Sequence, residues 1–248
     1  MDRAAFEDMA RVEDRHWWFA GKRALLQALL RRTGVPDGAR VLDLGCGTGA
    51  TLASLARRYE AIGVEPDAGA RAVCERRGCR VLYGGFPGDL PAGALSDAPA
   101  QAAILSDVIE HLDDDAGALR ESAALLCPGG VLVVTVPAHP WMWTEHDVAL
   151  HHRRRYTKRS LREAARTAGL TVQTLTWSNC GMFPLMAAQR VALKAGVVKG
   201  GIPGTTPIPA SPVNALFRGV YRAEAMTSGR VPHPFGGSLA AVFRTPGR

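Results

Sequence analysis

The stretch Val41-Leu42-Asp43-Leu44-Gly45-Cys46-Gly47-Thr48-Gly49 constrains this chain more than any other. A short β-type run enters three glycines set two apart, and a helical pattern follows. Glycine reaches positive φ without a Cβ penalty and lets backbone N–H groups come close to a ligand at a helix start. In a parallel α/β sheet such a loop places the ligand at the carboxyl end of the first strand, beside the point where the strand order reverses. The spacing is selective. A dinucleotide loop needs G-x-G-x-x-G, and a P-loop needs a lysine before its Ser or Thr, which Ala50-Thr51 lacks. Asp43 would repel a pyrophosphate and suits a cationic amino-acid group. Glu65 stands 20 residues after Gly45, at the end of the second strand. There a carboxylate can accept from both hydroxyls of a ribose.

The rest of the chain supports a doubly wound, mostly parallel α/β sheet. Arg40–Leu44, Ala61–Glu65, Arg80–Tyr83, Gln101–Ser106 and Gly130–Val136 read as strands, with helical patterns at Thr51–Tyr59, Asp67–Arg77 and Asp114–Leu126 between them. Cys127-Pro128-Gly129-Gly130 reads as a turn that stops a helix and releases the fifth strand. A helix at Thr157–Ala168 and strands at Thr171–Trp177 and Gly237–Thr245 complete the pattern. Residues 1–39, with a helical pattern around Lys22–Arg32, read as an N-terminal helical lid. Residues 40–177 form the core, 178–236 a helical insertion acting as cap or interface, and 237–248 the final strand. The insertion, with helical patches at Leu185–Val198 and Val213–Thr227, is too long for a structureless loop.

Composition narrows the class further. The 248 residues are 47% hydrophobic and 21% charged, the balance of a single sizeable globular domain. A net charge of +7 favours anionic partners without demanding nucleic acid. The five cysteines contain no C-x-x-C pair, so neither a disulfide framework nor a zinc knuckle is signalled. No secretory leader pattern is present, and no apolar run reaches the roughly 18 residues of a membrane span. These features predict a cytoplasmic protein, monomer or homodimer, with no metal.

Candidate chemistry gathers after the fourth and fifth strands. The segment 138–147 mixes Trp141, Met142 and Trp143 with His139 and His146, as a substrate wall would. His139 and His146 are the leading general bases, and His111, in the Glu110-His111 pair, is the third. The basic run Arg153, Arg154, Arg155, Lys158, Arg159, Arg162 could hold a carboxylate or phosphate. Arg155 and Tyr156 are the members expected to point inward, and Lys158, Arg159 and Arg162 to be solvated. Trp17, Trp18 and Phe19 read as part of a lid over the site. Arg190, Lys194 and Lys199, set among apolar residues, would suit a lipid surface or a dimer face.

Taken together, D-L-G-C-G-T-G at 43–49, the acid Glu65, Leu105-Ser106-Asp107-Val108-Ile109-Glu110-His111-Leu112 and Leu125-Leu126-Cys127-Pro128-Gly129-Gly130-Val131-Leu132 resemble the class I S-adenosylmethionine-dependent methyltransferases. The likeness covers about residues 40–136 and is nearest the ubiquinone-biosynthesis-like small-molecule subgroup. It implies a seven-stranded sheet with the last strand antiparallel and S-adenosylmethionine as cofactor. By the same resemblance Gly45, Cys46, Gly47 and Gly49 would lie against the methionine part and Asp43 near its ammonium group. Glu65 would hold the ribose, and Pro66, Gly85 and Phe86 would flank the adenine. Ser106, Asp107, Val108 and His111 would face the sulfonium side. The implied reaction is in-line methylation of O, N or C on a small molecule, biosynthetic or lipid-like. RNA methylation is the alternative, prompted by the basic run; a repurposed, non-methylating member is another. Ser106-Asp107-Val108-Ile109 departs from the N/D-P-P-Y/F of base amino-group methylases.

Overall fold

The computed structural model describes residues 3–95, 98–197 and 207–247. In chain order the elements are α1 (Arg3–Val12), α2 (Trp17–Arg32), β1 (Arg40–Leu44), α3 (Ala50–Leu55), β2 (Glu60–Val64), α4 (Ala68–Arg76), β3 (Arg80–Leu82), α5 (Ala92–Leu95), β4 (Ala100–Ser106) and α6 (Asp115–Ala124). They continue with β5 (Leu126–Pro137), α7 (Glu145–Ala149), α8 (Lys158–Thr167), β6 (Thr171–Ser178), α9 (Phe183–Lys194), α10 (Ser211–Thr227) and β7 (Ser238–Arg244). The seven strands form one sheet in the order β3-β2-β1-β4-β5-β7-β6. All neighbours are parallel except β7, which runs antiparallel to both β5 and β6. The order reverses between β1 and β4, so the crevice at that switch point lies beside the glycine loop.

Alternation along the strands divides the core between the two faces. Leu42, Leu44, Leu105, Leu132 and Val134 pack with Leu119 of α6 and Leu161 of α8. Val41, Ala102, Ile104, Val131 and Val133 pack with Leu25, Leu26 and Leu29 of α2, Leu55 of α3 and Tyr221 of α10. By the same alternation Asp43 shares the face of Val41, toward α2 and α3.

Most elements lie where the sequence places them, with shifts at their ends. Cys127-Pro128-Gly129-Gly130 is the main correction. It does not precede β5 but interrupts it, since Ala100 pairs with Leu126 and Ala102 already with Val131. Gly129, at φ +73°, makes the bulge. The predicted loop at 138–147 contains α7, closed by a capping box between Thr144 and Asp147. Val198 and Lys199 lie outside the described residues.

The insertion leaves and returns at one edge, because Ser178 and Ser238 are direct partners across β6 and β7. That edge carries the carboxyl ends of β1, β2, β4 and β5. From there α10 packs along α2. The Asn214 Oδ1 accepts from the Trp17 N–H at 2.9 Å, and its Nδ2 donates to the Arg15 carbonyl at 2.9 Å. Trp17 meets Phe217 edge-on at 5.6 Å. A Cβ on Gly21 would lie 2.7 Å from the Tyr221 Cβ, so glycine is what allows this approach. Among the described residues no helix is long and apolar enough to cross a membrane.

Candidate active site

Gly45, Gly47 and Gly49 all adopt positive φ, at +76°, +55° and +86°. Each is closely covered. A Cβ would meet Val108 Cγ2 at 2.8 Å from Gly45, Met9 Cε at 2.9 Å from Gly47 and Cys74 Sγ at 2.7 Å from Gly49. Met9 brings α1 over the loop, and Glu13 fastens that segment there. Its carboxylate accepts from Thr48 Oγ1 at 2.6 Å and from Arg77 Nη2 at 2.7 Å. Cys46 Sγ lies 3.9 Å from Cys74 Sγ.

Two carboxylates flank the loop. Glu65 accepts from the Gly47 N–H at 2.9 Å and the Asp67 N–H at 3.0 Å, which ties β2 to the glycines. Burial nonetheless pushes its pKa up. Asp43 is buried, and its Oδ2 has no hydrogen-bond partner. Burial, with Glu65 and Glu13 nearby, pushes it up to about 7. A buried polar atom left unpaired is costly, and a cation or donor placed against Asp43 would relieve that cost. Pro66 and Gly85 pack together, a Cβ on Gly85 lying 3.4 Å from Pro66, and Gly85 pairs with Asp89. Phe86 packs against the core beneath them.

At the carboxyl end of β4, Asp107 takes φ +57° and forms an ion pair with the buried Lys22 of α2. The Lys22 Nζ also sits 3.9 Å over the Trp18 ring, and Trp18 meets Phe19 edge-on at 4.9 Å. Ser106 and Thr135 share a hydrogen bond at 3.2 Å. Glu110 is fully buried, and its carboxylate meets no donor outside its own residue. Burial and then Asp107 drive its pKa well up. His111 touches His152 edge-on at 4.8 Å, and burial followed by His152 lowers it to about 4.

After β5 the candidates separate. His139 adopts φ +61°, a strained conformation for a non-glycine residue. Its ring stacks on Trp177 at 4.7 Å and on Phe183 at 5.0 Å, with Trp141 at 5.7 Å. The Nε2–H donates to the Gly236 carbonyl at 3.0 Å, which leaves the lone pair on Nδ1. Burial lowers its pKa. His146, on α7, is also lowered by burial and then by Arg190. Trp143 lines a depression of about 280 Å³ with Val148, His151, His152 and Arg153.

The basic run is largely paired. Arg153 faces Asp113 at 3.6 Å, Arg154 faces Asp115 at 3.3 Å, and Arg155 donates to Asp147 at 2.7 Å. Arg155 does point inward, yet its Nη1 is also spent on the Ala138 carbonyl. Despite burial, which alone would raise it, the His152 and Arg155 hydrogen bonds hold Asp147 far below the usual carboxylate range. Tyr156 is buried and donates to Asp115 at 2.7 Å. Arg159 and Arg162 are exposed, and Lys158 sits over the Trp177 ring at 5.2 Å. Arg190 donates to Thr144 Oγ1 at 2.6 Å and Lys194 to the Trp141 carbonyl, so both turn from α9 toward the 139–147 loop.

Sequence reasoning missed Lys22, Glu13 and Asp147. Lys22 had a readable signal, being a lysine in helical register with Leu25, Leu26 and Leu29 on an apolar face. The other two act through partners that only the fold brings near.

Residues 15–175 match a family described as a methyltransferase domain. Over 168 residues the chain is 32% identical to a probable S-adenosylmethionine-dependent methyltransferase of Mycolicibacterium smegmatis, covering 65% of this chain and 62% of that one. It is 36% identical over 110 residues to a trans-aconitate 2-methyltransferase of Azoarcus, covering 44% of this chain and 43% of the relative. The chain thus spans less than two thirds of the length of either relative. A SAM-dependent methyltransferase of Thermotoga maritima superposes on 98% of this chain and 99% of its own with a TM-score of 0.59 at 18% identity, a likeness of fold.

Proposed function

The chain belongs to the class I S-adenosylmethionine-dependent methyltransferases, and on that premise we propose that it methylates a small molecule with a flat, apolar body. The observation that carries the reading is Asp43, a buried carboxylate with a free oxygen beside the glycine loop at the switch point. That orphan fits the ammonium group of S-adenosylmethionine. Glu65 would take the ribose hydroxyls on the lone pairs not used by Gly47 and Asp67. The backbone of the glycine loop would lie against the methionine part, and Pro66 and Gly85 would flank the adenine. When bound, S-adenosylmethionine supplies an electrophilic methyl group.

The chain's own residues supply positioning, exclusion of water and a base. Met9 and Glu13 fasten α1 over the glycine loop, so the N-terminal segment acts as a lid. Trp18 and Lys22 close the β4 side, where Lys22 fixes the Asp107 carboxylate. The aromatic group around His139 forms the substrate wall, and its stacked geometry favours a planar substrate. The pairing of Arg153, Arg154 and Arg155 with acids argues against a dedicated anion site there. Where the nucleophile carries a proton, Nδ1 of His139 accepts it, the tautomer being held by Gly236.

Calorimetric titration with S-adenosylhomocysteine tests the cofactor site. Micromolar binding by the native chain, weakened at least tenfold in Glu65→Ala, is the expected result. A folded native chain that binds neither S-adenosylhomocysteine nor S-adenosylmethionine would refute the assignment.

A further inference from the structure

Away from the glycine loop, the start of the insertion gathers a thiol, an imidazole and a carboxylate. Cys180 follows β6, Glu224 lies on α10, and His233 sits in the segment leading to β7. One donor atom from each lies within 4.8 Å of the others. Donors around a tetrahedral zinc ion stand about 3.5 Å apart, a difference that small side-chain rotations close. No sequence motif announces the group, because its members are separated by 44 and 9 positions.

We propose that Cys180, Glu224 and His233 form a zinc site that pins the insertion to the carboxyl edge of the sheet, with a fourth position open to water. The surroundings are those of a prepared ligand set. The Glu224 Oε2 is held by the Cys180 N–H at 2.6 Å and the Gly181 N–H at 3.2 Å, while its Oε1 is buried with no partner. The His233 Nδ1–H donates to the Trp177 carbonyl at 3.1 Å, which orients the ring and leaves Nε2 as the donor to a metal. Nε2 now lies 3.1 Å from Thr227 Oγ1, but that hydroxyl has a second partner, the Glu224 carbonyl at 2.9 Å. Thr227 can therefore release Nε2 without losing its own hydrogen bond. Cys180 would give up its thiol proton to solvent on binding. A thiolate, an imidazole and a carboxylate together suit zinc better than magnesium or calcium, which take oxygen ligands.

The test does not depend on methyl transfer. Untagged, chelator-stripped protein is titrated with Zn²⁺ against a chromophoric chelator, and the Co²⁺ form is examined for a thiolate-to-metal charge-transfer band. One zinc per native chain is expected, with affinity at least tenfold lower in both Cys180→Ser and His233→Ala, and with the cobalt band absent in Cys180→Ser. Zinc should raise the melting temperature of the native chain and not of the variants, whose folding is checked by circular dichroism. Failure of the folded native chain to bind zinc would overturn the proposal. So would binding as tight in both variants as in the native chain, or binding lost instead in His111→Ala or His152→Ala, which with Glu110 form a second group of donors within 4.8 Å.

Discussion

Two glycines on the packed pair α2 and α10 should respond oppositely to the same substitution. Gly21 lies where α2 meets Tyr221. A Cβ added there would overlap the Tyr221 Cδ1 and Cγ and stand 2.7 Å from its Cβ, inside van der Waals contact. Tyr221 is 1% exposed and cannot swing out, so the helices must part. Overpacking of this kind costs about 1–3 kcal/mol, and an overlap reaching the Tyr221 Cβ belongs at the upper end. Alanine recovers about 1 kcal/mol of helix propensity, leaving Gly21→Ala destabilised by about 2 kcal/mol. Gly219 occupies the interior of α10 with nothing within 4 Å of an added Cβ. Gly219→Ala keeps only the propensity gain and should stabilise by up to about 1 kcal/mol. In thermal unfolding followed by circular dichroism, the first variant should melt about 4–8 °C lower and the second about 2–4 °C higher than the native chain. Shifts of the same sign would refute the close α2–α10 contact. The contact matters to the site, because Lys22, which reaches Asp107, is the next residue along α2.

Asp43→Asn should trade binding for stability. The carboxyl is pushed up from its ordinary 3.8 to about 7, so the folded state holds a proton that the unfolded state has released, and native stability from this group falls between about pH 4 and pH 7. Unfolding by urea at pH 5 and pH 8 should show a smaller loss in Asp43→Asn than in the native chain, together with weaker S-adenosylhomocysteine binding at pH 8; an unchanged pH difference would refute the burial argument. His139→Gln should lower turnover at least tenfold on a protonated nucleophile while leaving S-adenosylhomocysteine affinity within about twofold, and equal losses in both would assign the ring to packing.

Local signals made much of the sheet legible. The β1 strand runs from Arg40 to Leu44 as expected, because an alternating run ending in glycines has few other solutions. Ends were less readable. The helix expected over 51–59 stops at Leu55, where Tyr59 turns back under the sheet and is buried against α2. The bulge at 127–130 carries the same Pro-Gly-Gly signal as a turn, and only its pairing with β4 distinguishes the two. The short apolar stripe of α1 (Phe6, Met9, Ala10) marks a helix but not what it covers, and its place over Gly47 follows from the contacts of Met9 and Glu13. Arg153, Arg154 and Arg155 read as candidates to hold an anion because acids 40, 39 and 8 residues away do not declare themselves as partners.

The two segments outside the alternating pattern meet where α10 packs along α2 on one face of the sheet. Asn214 of α10 satisfies a backbone group at the start of α2, where an N–H has no intrahelical partner. Trp17, in that first turn, packs on Phe217 and Tyr221, and Gly21 admits Tyr221 one turn later. From the same turn Lys22 reaches the strained Asp107 at the end of β4. The other end of the insertion is anchored beside Trp177, whose ring supports His139 and whose carbonyl orients His233. A displacement of the insertion therefore acts on both sides of the proposed substrate position, on Asp107 through α2 and on His139 through Trp177. Residues 178–236 are in this sense part of the site's mechanics, because both contacts to it pass through residues that the insertion holds in place.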